Sequence, residues 1–251
     1  MLKEAIEKIE AMAARPFIAT VGGLDYMIAP DGAYIQIKED IEAPDTLRLS
    51  SLNAVVHMIT NEGVKMAGNV DSPIFVSVPT HDKVEVYCSP REEERYDRMI
   101  LYVAHATDIP GWGDAVKLPF DQAAVALQTR FQAGGDQDYT LRLLSMITTG
   151  AKVTYNNTGV ATTVVTQKGV ALQENSTIKP LVRLRPYRTF QEVNQPEGLF
   201  LIRIDEHGIT FTEADGGMWK LEARHTVADY LRSRLDDELE GKDHPKIVVM
   251  L

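Results

Sequence analysis

The chain is 251 residues long, 44% hydrophobic and 25% charged, the balance of an ordinary globular protein with room for one large domain or two small ones. Its 26 basic and 36 acidic residues leave a formal charge of -10, which argues against an extended non-specific grip on duplex DNA or on an anionic membrane. A single cysteine, Cys88, excludes an internal disulfide framework and a cysteine-based zinc cage.

Leu2, Ala5, Ile6, Ile9 and Met12 recur at helical spacing, with Lys3 and Glu7 four apart on the outer side, so the chain is expected to open with an amphipathic helix that Pro16 ends. This stretch mixes acids with bases where a signal peptide has an apolar block, and no apolar run reaches the length of a membrane span. The expectation is a cytoplasmic protein with no membrane partner. A hairpin follows, with strands at 24–29 and 34–38 around Pro30-Asp31-Gly32. Ser50 or Ser51 is placed to cap a second helix that buries Leu52, Val55, Val56 and Ile59 and stops at Gly63. Strands are expected at 74–78, 83–88 and 99–104, the last two separated by the charged loop 89–98, which reads as a solvated connection. Cys88 continues the period of Val84 and Val86, the position of a buried strand thiol.

The Gly- and Pro-rich stretch TDIPGWGDAVK (107–117) reads as a seam between two lobes, 1–115 and 116–251, or between two halves of one domain. Helices are expected at 120–131 and 138–148, the second stopping at Gly150. Short strands at 152–155, 160–166, 178–184, 199–204, 209–212 and 218–222 are joined by Asn, Gly and Pro turns, and a final helix is expected from Thr226, with Asp229 completing a capping box. The apolar tail 246–251 is expected to add a strand to its own sheet or to a neighbouring subunit's. The fold class predicted is α+β: mixed or antiparallel sheets with about five helices, the C-terminal half a β-meander followed by a helix and a terminal strand.

Motifs for chemistry are sparse. The 6 histidines are scattered with no pair three or four apart, and no nucleophile elbow, phosphate-binding P-loop or dinucleotide fingerprint is present. Ala133-Gly134-Gly135-Asp136 precedes a helix, but Asp136 and Asp138 already supply the negative charge a helix start attracts. No catalytic residue, metal or cofactor is therefore expected, and the protein is expected not to be an enzyme.

One stretch stands against the acidic background. TIKPLVRLRPYR (177–188) carries Lys179, Arg183, Arg185 and Arg188 with no acid among them. Strand alternation puts Lys179, Leu181, Arg183 and Arg185 on one face and Ile178, Val182 and Leu184 on the other. Such a stripe either holds a phosphate or carboxylate or pairs with surface acids. Tyr187 among these guanidinium groups either suits a nucleobase beside its phosphate or simply packs at a strand end. Trp112, between two glycines, either stacks on a base, docks on a partner or folds back over its own core.

The chain carries LSSLNAVVHMI as an early helix, FVSVP leading into strands, LPFDQAAVALQTRF and LRLLSMITTGAKVTY as helices entering a sheet, and PYRTF to GGMWKLEARHTVADYLRSRL at the close. In this order the features resemble the YfdQ-like family of bacteriophage and prophage proteins. The resemblance implies a phage or prophage origin and action in the bacterial host cytoplasm. The family defines no catalytic residue, so it assigns no role to any position here. Together these features give the expectation of a non-enzymatic, homo-oligomeric binder of a small anionic, nucleotide-like ligand or of a host protein, in counter-defence. Lys179, Arg183, Arg185, Tyr187 and Arg188 would face the ligand. The alternatives are a structural or assembly protein, with Trp112 and the tail at subunit contacts, and a single-stranded nucleic-acid binder of phage genome metabolism.

Overall fold

The helical spacing at the start of the chain forms α1 (Leu2–Ala13), and β1 (Phe17–Val21), β2 (Leu24–Ile28) and β3 (Tyr34–Ile37) follow it. The three strands make an antiparallel meander in the order β1-β2-β3. Gly22 and Gly23, at φ 61° and 83°, form the two-residue turn that joins β1 to β2, a turn only glycine-like residues enter without strain. β1 thus enlarges the expected hairpin to three strands. Between β2 and β3, the Gly32 N–H donates to the Ala29 carbonyl at 2.9 Å, and the Ala33 N–H donates to Asp31 Oδ1 at 3.0 Å.

This computed structural model describes residues 2–13, 15–37, 45–67, 71–88, 100–149, 152–157, 162–168 and 171–251. The charged loop 89–98 and the helix stop at Gly150 lie outside the described residues. The chain divides into two compact units, one formed by Met1–Pro44 with Pro90–Asp97, the other by Asp45–Ser89 with Arg98–Leu251.

In the second unit β4 (Leu47–Leu49), α2 (Leu52–Ala67), β5 (Ile74–Thr80), β6 (Lys83–Cys88), β7 (Ile100–His105), β8 (Ala115–Leu118), α3 (Phe120–Thr129), β9 (Phe131–Gln132) and α4 (Gln137–Thr149) come first. They are followed by β10 (Lys152–Asn157), β11 (Thr162–Lys168), β12 (Ala171–Thr177), β13 (Leu181–Pro186), β14 (Gly198–Asp205), β15 (Gly208–Glu213), α5 (Met218–Leu239) and β16 (Ile247–Met250). The five helices, the mixed and antiparallel sheets and the closing helix and strand make an α+β fold, as the sequence predicts.

Two five-stranded sheets carry the cores. The first has the order β16-β5-β6-β7-β4, its two outer strands running parallel to their neighbours. Val76, Val78, Val84 and Val86 alternate onto its inner face and meet Leu52, Val55, Val56 and Ile59 of α2 and Val227, Leu231, Leu235 and Leu239 of α5. The second has the order β8-β15-β14-β13-β9. Its inner face, with Val182, Leu184, Phe200, Ile202, Ile204, Ile209 and Phe211, packs on α3 and α4 through Ala123, Leu127, Leu143, Leu144 and Ile147. β10, β11 and β12 form a separate antiparallel sheet. Burial of stripes this size is the main favourable contribution to the fold.

Several expectations are corrected. α2 continues through Gly63 to Ala67: Gly63 lies inside the helix facing Ile74 of β5, at a distance where even a Cβ would make ordinary van der Waals contact, and it is not a stop. Residues 218–222 are the first turn of α5 and not a strand, because Trp219, Ala223 and Val227 recur four apart on the buried face. Thr226 therefore lies inside the helix, its hydroxyl donating to the Glu222 carbonyl at 2.9 Å, as mid-helix threonines do. Phe131, expected at the end of the helix 120–131, instead begins β9, because α3 ends at Thr129; β8 occupies part of the stretch expected to be loop, and β4 and β12 are strands beyond those expected.

Candidate functional site

β13 alternates as the sequence predicts: Val182, Leu184 and Pro186 are buried while Leu181 and Arg183 are exposed and Arg185 is half-buried. The outer face of this strand therefore carries the basic stripe. β13 pairs with β9 only at Arg185 and Pro186, and the glycine turn before α4 takes over the edge beyond. The Asp136 N–H donates to the Arg183 carbonyl at 2.7 Å, and the Arg183 N–H donates to Asp136 Oδ2 at 2.8 Å. Gly135 makes this close approach possible, since it stands at φ +58° and a Cβ there would lie 2.3 Å from the Arg183 carbonyl oxygen.

Asp136 Oδ2 also accepts from Lys179 Nζ at 2.6 Å. Burial works to raise this carboxyl, but the hydrogen bonds from Lys179 and the Arg183 main chain, with the charges of both residues, outweigh it and hold the group below the ordinary carboxylate value. Glu197, just before β14, lies 3.6 Å from Arg183 Nη1 and 3.6 Å from Arg185 Nη2. Both separations exceed a charge-assisted hydrogen bond of about 2.7–2.9 Å. Lys179 is 52% exposed and Arg183 68% exposed. Arg185 leans against Gly134, and its Nε is buried without a hydrogen-bond partner.

Arg203 of β14 lies on the same outer face as Leu199 and Leu201, which pair with Arg183 and Leu181. Lys117 of β8 reaches Asp205 there at 2.7 Å. Neither cation stands out in sequence, because each is a lone charge in an alternating strand; only the strand order sets them on one face with the stripe.

The remaining predicted residues go elsewhere. Tyr187 is half-buried, its N–H donating to the Arg130 carbonyl at 3.0 Å. Arg188 falls on the opposite parity and turns inward, 2% exposed. It pairs with Glu213 and lies over the Trp219 ring at 3.8 Å and the Phe200 ring at 5.5 Å. The structure thus brings Lys179, Arg183 and Arg185 together and places Arg188 in the interior. Trp112 folds back over the second core, edge-on to Phe131 at 4.7 Å and to Phe211 at 5.8 Å.

Two cavities of about 340 Å³ lie away from the stripe. One adjoins the start of α2, where Glu192 Oε1 accepts the Leu52 N–H at 2.8 Å and Ser51 Oγ accepts the Ala54 N–H at 3.1 Å. The other is lined by Trp112, Val116, Leu118 and residues of α3. Among the described residues no group of three or more His, Cys, Asp or Glu is placed to hold a metal ion, and no helix is long and apolar enough to cross a membrane. Compared with models of known families, with curated proteins and with solved structures, the chain matches none.

Proposed function

We propose that the outer face of the β8-β15-β14-β13-β9 sheet binds a phosphate-bearing ligand, nucleotide-like and not chemically changed. The observation that carries this reading is the arrangement on β13 and just before it. Lys179, Arg183 and Arg185 share one exposed face, are served by two carboxylates, and the two arginines divide a single Glu197 at distances too long for hydrogen bonds. Guanidinium forks engage phosphate oxygens in pairs, so a ligand phosphate would take the place Glu197 now holds loosely. Sequestration of this kind needs affinity and no catalysis. It agrees with a homo-oligomeric phage or prophage product acting in the host cytoplasm, which we also propose.

Titration calorimetry with ATP tests the assignment. The Arg183→Ala/Arg185→Ala protein is expected to lose at least tenfold in affinity, and Glu197→Gln to gain severalfold. Unchanged affinity in both would overturn the site.

A second reading rests on shape. The cations form a row on an open sheet face and do not ring either cavity described above, an arrangement that also suits a short single strand of nucleic acid. Binding of a single-stranded oligonucleotide that weakens steeply with salt, where ATP does not bind, would favour it.

A further inference from the structure

We infer that the free edge of β8 and the groove between β8 and α3 receive the extended C-terminal segment of a partner protein as an added antiparallel strand. The site uses the edge and the inner side of the second sheet, so it stands apart from the anion-binding reading of the outer face.

β8 is an outer strand. It pairs with β15 and, among the described residues, with no strand on its other side. The register tells which of its main-chain groups are left over. The Glu213 N–H donates to the Asp114 carbonyl at 2.8 Å, across the pair that continues the β8–β15 ladder. Hydrogen-bonded pairs alternate along an antiparallel ladder, so Val116 and Leu118 bond to β15, while the N–H and C=O groups of Ala115 and Lys117 point away from it. Main-chain donors and acceptors therefore line the open edge at the spacing of a strand. The one charged residue of β8 does not guard it, because Lys117 is turned to Asp205 on the outer face at 2.7 Å.

Beside this edge lies the cavity of about 340 Å³ that Trp112 lines. Val116 and Leu118 face it from β8, and Val125 and Ala126 from α3, with Val125 59% exposed. An added strand gains affinity from main-chain bonds and specificity from alternate side chains that enter such a groove. Guest residues opposite Val116 and Leu118 fall on the groove side, which calls for apolar side chains at those two positions.

Charge sets the direction. Asp121 stands in the first turn of α3 and Arg130 at its C-cap; both line the cavity, and neither has an ion-pair partner among the described residues. They are about 13 Å apart along the helix at a rise of 1.5 Å per residue, the length that four residues of strand also cover. β8 leads into α3 from Leu118, so the Asp121 end lies beside Leu118. Trp112, ahead of β8, meets Phe131, the residue after Arg130, at 4.7 Å, which puts the Arg130 end beside Ala115. A strand antiparallel to β8 starts at Asp121 and ends at Arg130, where its terminal carboxylate meets an unpaired guanidinium. A basic residue at its start meets Asp121. A parallel guest would bring its carboxylate to Asp121 instead.

Titration calorimetry of the full chain with the peptide acetyl-Lys-Val-Thr-Leu-Thr, its C-terminus free, is the test. Saturable binding is expected, at least tenfold weaker for the same peptide amidated at its C-terminus and at least tenfold weaker in Arg130→Gln. Ala115→Pro is expected to abolish it, since proline removes an outward N–H and leaves the ladder to β15, a position an edge strand tolerates. Arg130→Gln changes an exposed side chain alone, so the outcome does not depend on how the proline variant folds. No binding to the unaltered chain, equal affinity for the acid and the amide, or affinity unchanged in both variants would each overturn the inference.

Discussion

Arg188 shows what a single residue costs when it goes inside. Its guanidinium lies on Trp219, its Nη1 reaches Glu213, and Trp219 Nε1 donates to the other Glu213 oxygen at 3.2 Å. Its Nε and Nη2 are buried without hydrogen-bond partners. Nη2 fills the space over Gly198, where a Cβ would stand 2.4 Å away, so arginine and glycine are two halves of one fit. Burial lowers the Arg188 pKa from its ordinary value, while Glu213, Asp215 and Asp114 act to raise it. Removing the counter-charge strands a buried cation, so Glu213→Ala is expected to cost about 3–5 kcal/mol in urea unfolding. Replacing Arg188 and Glu213 together by methionine should recover much of that loss. Equal losses in the single and double variants would mean that packing, and not charge, holds this point.

His81 sits edge-on to the same Trp219 ring at 4.7 Å. Burial lowers its pKa; Asp82 opposes the shift, while Lys220 and Arg188 add to it. A histidine lowered in the fold is held neutral there. Its contribution to stability is complete above the unfolded value of 6.5 and is lost as pH falls from that value toward the folded one. Stability is expected to decline as pH falls below 6.5, with a shallower slope in His81→Gln. Asp136, also lowered, acts in a separate window: its contribution is present above 3.8 and lost as pH falls through its folded value. An identical slope for His81→Gln and the unaltered chain would remove His81 from the account.

At the scale of elements, the segment 187–197 between β13 and β14 straps the two sheets together. It leaves the second sheet, yet Phe190 and Val193 pack in the core of the first. The buried Gln195 side chain organises it, accepting the N–H groups of Arg188 at 2.8 Å and Thr189 at 3.2 Å and donating to the Phe190 carbonyl at 3.0 Å. The Thr189 hydroxyl donates to the His81 carbonyl, and Glu192 supplies the acceptor for the first turn of α2. Glu192→Ala is expected to cost about 0.5–2 kcal/mol, the loss of a helix cap, measured by chemical denaturation. No loss would show that Ser51 suffices.

Elements with strong periodicity were legible in sequence: α1, α2, α3, α4, the strands β5, β6 and β7 of the first sheet, the β13 alternation and the closing β16. What was not legible depended on partners distant in the chain. Gly63 reads as a stop until Ile74 is packed on it, and residues 218–222 read as a strand until the surfaces under Trp219 and Ala223 are known. The outward placement of Lys179, Arg183 and Arg185 followed from period two. The fate of Arg188 did not, because it depends on Glu213 and Trp219, which only the fold brings near. Of the carboxylates at the candidate site, Glu197 lies in irregular chain before β14 with no motif, and Asp136 reads in sequence only as a helix start.

For the molecule as a whole, the division into two units means that the small meander and the two-core body carry separate sheets. A chain starting at Asp45 is expected to keep the main unfolding transition of the full protein in scanning calorimetry. Its disappearance would show that the body depends on the meander.

β16 has a kinetic consequence. It runs parallel to β5, Ile247 beside Ile74, with the Ile74 N–H donating to the Lys246 carbonyl at 2.9 Å. During synthesis at ~5–20 residues per second, β5 must wait roughly ten to thirty seconds for the strand that closes its side and for the helix that covers its face. Through that interval the nascent chain presents an unfinished apolar edge, the period in which a chaperone has most to protect.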